Sequence, residues 1–515
     1  MTSLCPLTQR ALISPNAIAI ESQDQVITWR QLDQMTEQLI ADLLTAKDPM
    51  IQKNHKAILN ETLAVNPSFS TDQKSKKDPQ TEQWIAVHQC DPLVTLLLVC
   101  MAIRTGVSLF LASDRDPEFQ SKALIDQLPV IHTFRNIQSL SDLFYGKDPF
   151  QKNRSGSAVK KKKQGIFSDQ MNRTDQPKSR NWDHPRIYLQ TSGSTQTPKI
   201  VAHSLETLMA SATASNANIP FQTADRWLLS LALWHIGGLA IFFRALCDGG
   251  TVCIPDQKNT MAQNVIHQQV THLSVVALQL TRMMSEQHSF PLLKHVLVGG
   301  GPIPKTLIET ARAYHIPVHT TYGMTELGSQ LCTTGCDPTD FDLTTAGRPL
   351  NGWAIKVDSS GEICAKGSPL FLGYYSQTGL TPARDSQGWF HTGDIGEIHN
   401  DGSLKVLGRK DSQFISGGEN IYPEEIEKVL TDFPTIKLAT VVPIPSTTYG
   451  QRPFAFVLGE YSASELNDHL LKRLPKFKHP DRIAPWPPQV PTHKPSRSAL
   501  RALALHYNPP TAQKP

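Results

Sequence analysis

The amino-acid sequence predicts an α/β protein with a large N-terminal domain and a small C-terminal α+β domain. The chain has 515 residues, which is enough for more than one hydrophobic core. From residue 187 to residue 407, short apolar runs alternate with helical patterns, which is typical of a mostly parallel sheet covered by helices. After Gly408 the pattern restarts as a smaller unit. We therefore place the two domains at 1–407 and 408–515.

The individual elements follow from these apolar runs. A strand at Ala17 to Ile20 and a helix around Trp29 to Leu44 open the chain. The runs of the large domain predict strands at Trp227 to Leu233, Thr251 to Ile254, Leu273 to Ala277, Val296 to Leu297 and Val318 to Tyr322. In the small domain we expect strands near Lys437 to Val442 and Pro453 to Leu458, and a helix near Ala463 to Leu474.

Two polar stretches interrupt the large domain, at about 47–82 and 146–182. Both contain few apolar residues, so we interpret them as surface insertions or disordered loops. The second stretch holds the basic cluster Lys160 to Lys163, which fits a solvated loop better than a nucleic-acid interface. With a net charge of only +4, the composition does not indicate a nucleic-acid partner.

Composition and cysteine usage indicate a cytoplasmic protein. Charged residues make up 19% of the chain and apolar residues 39%, as in ordinary globular proteins. The eight cysteines are scattered, and the pair Cys332 and Cys336 has no partner pair at zinc-site spacing. The N-terminus lacks a signal-peptide pattern. The apolar runs Leu93 to Ile103 and Trp227 to Leu246 are respectively too short and too interrupted to predict membrane spans.

A hydroxyl-rich loop ending in a lysine, Tyr188-Leu-Gln-Thr-Ser-Gly-Ser-Thr-Gln-Thr-Pro-Lys199, predicts a phosphate-binding site. Its glycine allows an anion to approach the backbone closely, and the Ser and Thr hydroxyls add donors. The spacing is not that of a Walker A loop. The loop resembles the signature of adenylate-forming enzymes, a family of acyl-CoA ligases, luciferases and peptide-synthetase adenylation domains. The resemblance implies ATP contacts from Thr191, Ser192, Gly193, Ser194 and Lys199, and a catalytic, Mg²⁺-binding role for Thr195.

Four downstream motifs of the large domain resemble the same family, in the expected order. They are Leu233-Trp-His235-Ile-Gly-Gly-Leu239, Gly299-Gly-Gly-Pro302, Thr321-Tyr-Gly-Met-Thr-Glu326 and Trp389-Phe-His-Thr-Gly-Asp394. The resemblance implies that His235 is a catalytic residue near the acyl group and that Glu326 is a catalytic, Mg²⁺-binding carboxylate. It also implies nucleotide contacts from Gly299, Gly300, Gly301, Tyr322, Gly323, Thr325 and Asp394, with Asp394 on the ribose.

The segment from Gly408 to Ile426 resembles the family's interdomain junction. The resemblance implies that Arg409 contacts ribose and phosphate, that Asp411 is the hinge of a mobile C-terminal lid, and that Gly417 and Gly418 meet coenzyme A. Farther on, Lys494 and Arg497 match the register of the family's catalytic lysine, although His493 replaces a glycine. In the phosphate loop, Gln196 and Ile200 also replace frequent glycines, which could slow lid motion or product release.

The motif details resemble o-succinylbenzoate–CoA ligases of menaquinone and phylloquinone synthesis more than fatty-acid or acetate ligases. Arg244 lies where such ligases tend to carry a basic residue, and an arginine can bind the unreacting carboxylate of a dicarboxylic acid. A solvent-facing arginine at a helix end is the alternative interpretation. The function expected is therefore an ATP-, Mg²⁺- and CoA-dependent acid–thiol ligase. Two alternatives remain: a ligase for another aromatic or medium-chain acid, and a catalytically silent nucleotide-binding relative. A homo-oligomer is compatible with the sequence.

Overall fold

The computed structural model describes residues 5–45, 84–112, 130–135, 185–191, 199–335, 345–491 and 496–507. Both polar stretches predicted as insertions, 47–82 and 146–182, lie outside these residues. The helices are α1 (Pro6–Ile13), α2 (Trp29–Thr45), α3 (Pro92–Thr105), α4 (Leu205–Asn218), α5 (Ile236–Asp248), α6 (Met261–His267), α7 (Ala277–Ser285), α8 (Lys305–Ala313), α9 (Pro423–Thr431), α10 (Ala463–Leu471) and α11 (Arg497–Leu505).

The strands fall into four sheets. A nine-stranded sheet contains, in chain order, β1 (Ile18–Glu21), β2 (Val26–Thr28), β8 (Arg226–Leu228), β9 (Thr251–Cys253), β10 (His272–Val275), β11 (His295–Val298), β12 (Val318–Tyr322), β13 (Cys332–Thr333) and β14 (Arg348–Pro349). A seven-stranded sheet contains β3 (Trp84–His88), β4 (Ser108–Leu111), β5 (Val130–Arg135), β6 (Pro185–Thr191), β7 (Lys199–Ser204), β17 (Gly373–Ser376) and β18 (Gly379–Thr381).

Two further sheets are antiparallel or nearly so. The four-stranded sheet is formed by β15 (Trp353–Val357), β16 (Glu362–Gly367), β19 (Phe390–Ile398) and β20 (Leu404–Arg409). The five-stranded sheet is formed by β21 (Phe414–Ser416), β22 (Glu419–Ile421), β23 (Ile436–Ser446), β24 (Gly450–Gly459) and β25 (Arg482–Pro485), with β25 parallel to β24. The change of sheet between Arg409 and Phe414 falls close to the domain boundary predicted at 408.

The predicted α/β class is confirmed, and the sheets are mixed. In the nine-stranded sheet, pairing is parallel throughout the spatial order β12-β11-β10-β8-β9-β1 and antiparallel at both edges. The predicted strand at Trp227 to Leu233 stops early, at Leu228. The Ser230 hydroxyl lies within hydrogen-bonding distance of the Leu228 carbonyl, just where the strand ends. The rest of the apolar run, residues 229–233, lines a cavity and does not continue the strand. Most of these residues are apolar because they line the protein interior, although they do not pair in the sheet.

The apolar run Leu93 to Ile103 forms most of helix α3. Every residue of the run is buried, which accounts for its apolar composition. The Asp91 side chain caps the helix by accepting a hydrogen bond from the Leu93 N–H at 2.8 Å. Gly106 ends it in the left-handed conformation, with φ +78°. Among the described residues, no helix has the length and apolarity needed to cross a bilayer.

Candidate active site

The glycine-rich loop after β11 lies against the end of β12. These parallel strands pair Val298 with Thr320, which brings Gly299 beside Thr321. A Cβ on Gly299 would lie 2.8 Å from the Thr321 Cγ2, so only glycine fits there. Gly300 has φ +80°, and Gly301 has open space where a side chain would be. The loop thus offers bare backbone at the carboxyl ends of parallel strands, the usual place for a ligand in an open α/β sheet.

The chain folds back sharply after Tyr322. A Cβ on Gly323 would lie 1.6 Å from the Ser329 carbonyl oxygen, so no other residue fits there. A short 3₁₀ turn, Thr325–Leu327, follows and ends at Gly328 with φ +64°. Ser329 then adopts φ +116°, a strained conformation for a residue with a side chain. Strained backbone of this kind clusters at functional sites, where the surrounding structure enforces it.

Asp394 lies between Tyr322 and Arg409. The Tyr322 phenol donates a 2.6 Å hydrogen bond to Asp394 Oδ2, and Arg409 Nη1 donates to Asp394 Oδ1 at 3.2 Å. Asp394 is buried, and the loss of hydration raises the pKa of its carboxyl above the usual range. The structure therefore brings together the predicted adenine neighbour, the predicted ribose ligand and the predicted phosphate contact.

Glu326 forms a second acidic position near the same strand end. It is 6% exposed, and burial raises the pKa of its carboxyl. Tyr374 donates a 2.9 Å hydrogen bond to Glu326 Oε1, while Lys199 Nζ lies 4.9 Å from the centroid of the Tyr374 ring. Within the described part of the chain Glu326 has no ion-pair partner. A buried carboxylate held by a neutral phenol fits the hard oxygen ligand that Mg²⁺ requires.

His203 belongs to this site, although sequence reasoning missed it. Its Nε2 lies 2.8 Å from the Thr325 carbonyl oxygen, and its Nδ1 lies 2.9 Å from the Thr207 hydroxyl. Full burial lowers the pKa of the imidazole to about 4, so the ring is neutral at physiological pH. His203 thus couples strand β7, which follows the phosphate loop, to the turn that carries Glu326. In the sequence, the one indication of this role was that His203 lies on the strand directly after the phosphate loop.

Arg244 lies in α5 and is 2% exposed, so the solvent-facing interpretation is wrong. Its Nη2 donates to Gln330 Oε1 at 2.9 Å, and its guanidinium carbon lies 4.8 Å from the centroid of the Trp227 ring. Its Nε is buried without a hydrogen-bond partner, and no carboxylate of the described residues pairs with it. Burial lowers the pKa of this guanidinium to about 9.

His235 begins the same helix that carries Arg244. It occupies the N-cap position and is exposed, with its ring centroid 5.9 Å from that of Trp234. Packing requires glycine at position 238, since a Cβ on Gly238 would lie 2.3 Å from the Ala232 carbonyl oxygen. The close approach holds the start of α5 against the preceding loop and fixes the direction of the helix.

A cavity of about 370 Å³ lies at the carboxyl ends of β3, β4, β8 and β9, beside the loop that precedes His235. Its polar lining includes Gln89, Ser230, Asp256 and Asn264, and its described lining residues include no Arg or Lys. Among the described lining residues, the cavity therefore offers no cationic side chain to a negatively charged ligand.

The residues of the predicted interdomain junction follow Arg409 in the chain. Its Nε donates to Asp411 Oδ1 at 3.2 Å, within the 3₁₀ turn Lys410–Ser412. Gly417 and Gly418 form the tight turn between β21 and β22, with φ +60° and +90°. Both conformations favour glycine.

Arg497 anchors the segment that follows the expected catalytic lysine. Its guanidinium donates to both carboxylate oxygens of Glu427, at 2.6 and 2.9 Å, and to Glu424 Oε1 at 2.8 Å. Lys494 itself, and the phosphate-loop residues Ser192, Gly193, Ser194 and Thr195, lie outside the described residues. Thr191 and Lys199 flank that loop as a cross-strand pair of β6 and β7.

Comparison with known sequences agrees with this architecture. A sequence model of the AMP-binding enzyme family matches residues 98–375, and a model of the AMP-binding enzyme C-terminal domain matches residues 425–495. The 2-succinylbenzoate–CoA ligase of Bacillus subtilis is 30% identical over 498 residues, covering 93% of each chain. That of Bacillus licheniformis is 35% identical over 312 residues, covering 58% of this chain and 65% of the relative.

Solved structures give the same result. The o-succinylbenzoate CoA synthetase of Bacillus subtilis, in complex with its acyl-adenylate intermediate, is 25% identical and superposes with a TM-score of 0.76. That comparison covers 97% of this chain and 98% of the other. The same synthetase with ATP and a magnesium ion gives a TM-score of 0.75 at 25% identity, covering 97% and 100% of the two chains. This chain is a member of the AMP-binding enzyme family.

Proposed function

We propose that the chain is an acid–CoA ligase that activates o-succinylbenzoate as an acyl-adenylate and then transfers the acyl group to coenzyme A. The observation that carries the choice of acid is Arg244, a buried guanidinium with an unpartnered Nε and no described carboxylate beside it. A dicarboxylic acid needs a cation for the carboxylate that does not react. A desolvated arginine is well suited to that role.

We assign the adenine to Tyr322 and to the bare backbone of Gly299, Gly300 and Gly301. Asp394 accepts hydrogen bonds from the ribose hydroxyls, and Arg409 lies between ribose and phosphate. Support comes from the hydrogen bonds that hold Asp394 in place between Tyr322 and Arg409. Gly323 allows this turn to approach Ser329 closely, and we assign Gly323 and Thr325 to the nucleotide as well.

For the chemical step, the acid carboxylate attacks the α-phosphorus of ATP, and pyrophosphate leaves. Thr195 and Glu326 would hold Mg²⁺, which neutralises phosphate charge when bound. Lys494 would stabilise the charge that develops at phosphorus, and the hydroxyl-rich loop of Ser192, Gly193 and Ser194 would bind the departing phosphates. His235 would lie beside the acyl group, at the exposed start of α5.

For the second step, the thiol of coenzyme A attacks the acyl carbon and AMP leaves. We assign this step to a rotated lid over residues 408–515, with Asp411 as the hinge and Gly417 and Gly418 against coenzyme A. The ion pair between Arg409 and Asp411 at the junction supports a hinge there, because rotation can break and remake it. We further propose a cytoplasmic location in menaquinone or phylloquinone synthesis, since all described cysteines are free thiols.

The test is a thioesterification assay of the full chain with ATP, Mg²⁺, coenzyme A and a panel of acids. We expect o-succinylbenzoyl-CoA, AMP and pyrophosphate in equal amounts, with kcat/KM highest for o-succinylbenzoate. A higher kcat/KM for a monocarboxylic aromatic or medium-chain acid would assign the chain to another acyl-CoA ligase. ATP binding with no pyrophosphate release for any acid would make it a silent relative.

A further inference from the structure

Three potential metal ligands converge on one face of the four-stranded sheet, where Cys364 is buried, Asp358 is half-buried and His391 is exposed. Cys364 on β16 and His391 on β19 form a cross-strand pair, and Asp358 follows the end of β15. The ligand atoms of these three residues all lie within 4.8 Å of one another. On β16, Glu362 shares the face of Cys364 and pairs with Ile395 of β19. Asp394, the neighbour of Ile395, therefore faces the opposite side of the sheet from the cluster.

The distances suit a tetrahedral ion. Cys364 Sγ lies 3.5 Å from His391 Nδ1, and a zinc ion bonded to both at tetrahedral angles would separate them by about 3.5 Å. Asp358 Oδ2 lies 3.8 Å from the same nitrogen, slightly more than the roughly 3.3 Å of a bound pair. Asp358 Oδ1 accepts hydrogen bonds from the N–H groups of Ser360 and Glu362, which leaves Oδ2 for an ion, and metal binding requires Oδ2 to move closer by about half an ångström.

The surroundings of His391 also match a metal-bound histidine. Its second nitrogen, Nε2, lies 3.6 Å from Asp385 Oδ2, slightly beyond hydrogen-bonding distance, so this carboxylate has to move closer to accept the remaining ring proton of a metal-bound imidazole. Glu362 Oε2 lies 3.6 Å from Nδ1 but is engaged by Lys410 Nζ at 2.7 Å. Lys410 therefore neutralises the Glu362 carboxylate, and Asp358, Cys364 and His391 remain as ligands for an ion.

We propose that Asp358, Cys364 and His391 bind a divalent transition-metal ion of the zinc class, with water completing the coordination. A thiolate, an imidazole and a carboxylate together select zinc or cobalt over magnesium or calcium, which prefer oxygen ligands. This site is distinct from the proposed Mg²⁺ position at Glu326, which has no thiol. The inference does not depend on which acid the enzyme activates.

The test is a titration of the chelator-treated full chain with Co²⁺ in the absence of nucleotide. We expect one ion per chain and a thiolate-to-cobalt charge-transfer absorption, which a site of oxygen ligands cannot produce. Cys364→Ser should abolish that absorption. His391→Gln, a change at an exposed residue that leaves the fold intact, should weaken cobalt and zinc affinity at least tenfold. At a fixed zinc concentration, zinc should raise the melting temperature of the parent enzyme more than that of His391→Gln.

Two matched variants serve as controls. Cys247→Ser removes a partly buried thiol elsewhere, and His288→Gln removes an imidazole that is 42% exposed, close to the 44% of His391. Both should bind cobalt as the parent does. Absence of saturable binding in the parent, or an unchanged charge-transfer absorption in both Cys364→Ser and His391→Gln, would show that the cluster is a surface hydrogen-bond network only.

Discussion

The phenol of Tyr322 donates a 2.6 Å hydrogen bond to Oδ2 of Asp394. Because Asp394 is buried, removing this donor leaves a carboxylate oxygen without its neutral partner. We expect Tyr322→Phe to raise KM for ATP about tenfold, which corresponds to about 1.4 kcal/mol, with a smaller effect on KM for the acid. Steady-state kinetics with each substrate varied in turn measure this. The exposed Tyr314→Phe is the control and should match the parent.

Arg244 should discriminate between acids by charge. We expect Arg244→Gln to lower kcat/KM for o-succinylbenzoate at least a hundredfold, since it removes a desolvated cation, about 3 kcal/mol of interaction. An analogue in which hydrogen replaces the unreacting carboxylate provides the matched comparison. Its kcat/KM should change little on the same substitution. Equal losses for both acids would mean that Arg244 only supports Gln330 and the turn after Tyr322.

Glu326 should set the magnesium requirement. Glu326→Gln keeps the shape and retains an acceptor for the Tyr374 hydroxyl, but it removes the negative charge. We expect the Mg²⁺ concentration for half-maximal activity to rise severalfold and kcat to fall about a hundredfold or more. Magnesium titration of pyrophosphate release measures both. Tyr374→Phe should shift the magnesium dependence much less, and an unchanged titration in Glu326→Gln would remove the residue from the metal site.

Acid should destabilise the large domain through His203. Burial lowers the pKa of this imidazole from 6.5 to about 4, so between these values the unfolded chain binds a proton that the folded chain excludes. The stabilisation is complete above pH 6.5 and declines as pH falls towards 4, by about 3 kcal/mol in total. Urea unfolding across this range should show a shallower pH slope for His203→Gln. The exposed His288→Gln should keep the parental slope, and an unchanged slope in His203→Gln would contradict the assignment.

Arg497 should position the segment that contains Lys494. We expect Arg497→Lys, which cannot pair with both oxygens of Glu427 while also reaching Glu424, to slow adenylate formation about tenfold or more. Transfer of a preformed acyl-adenylate to coenzyme A should be affected much less, because that step does not use Lys494. Single-turnover assays of each half-reaction separate the two. The exposed Arg501→Lys is the control.

Local patterns predicted much of the fold. The strand Val318–Tyr322 and the start of the helix at Ala463 agree with the predicted positions, because apolar periodicity is a local property. The antiparallel four-stranded sheet was missed within the segment 187–407. Two of its pairings, β15 with β16 and β19 with β20, are local hairpins. The central pairing of β16 with β19 joins residues far apart in sequence, such as Cys364 and His391, and nothing local specifies it.

Some residues of the candidate site were also expected from the sequence, and others became apparent only in the structure. The family resemblance singled out Tyr322, Glu326 and Asp394, and the fold places Tyr322 against Asp394 with Glu326 in the turn that follows Tyr322. Sequence reasoning did not identify His203 and Tyr374, because only the tertiary structure brings them to the site. His203 contacts the Thr325 carbonyl, and Tyr374 contacts Glu326. For Arg244, the sequence suggested a cation but could not establish its burial, which depends on the packing of α5 against Trp227 and Gln330.

The most direct measurement is isotope exchange between pyrophosphate and ATP, with the purified full chain and Mg²⁺ but without coenzyme A. Exchange requires a reversible first step in which an acyl-adenylate forms. We expect rapid exchange that depends on o-succinylbenzoate and is lost in Lys494→Ala. Exchange that is absent with o-succinylbenzoate, or that survives Lys494→Ala unchanged, would contradict the proposed function.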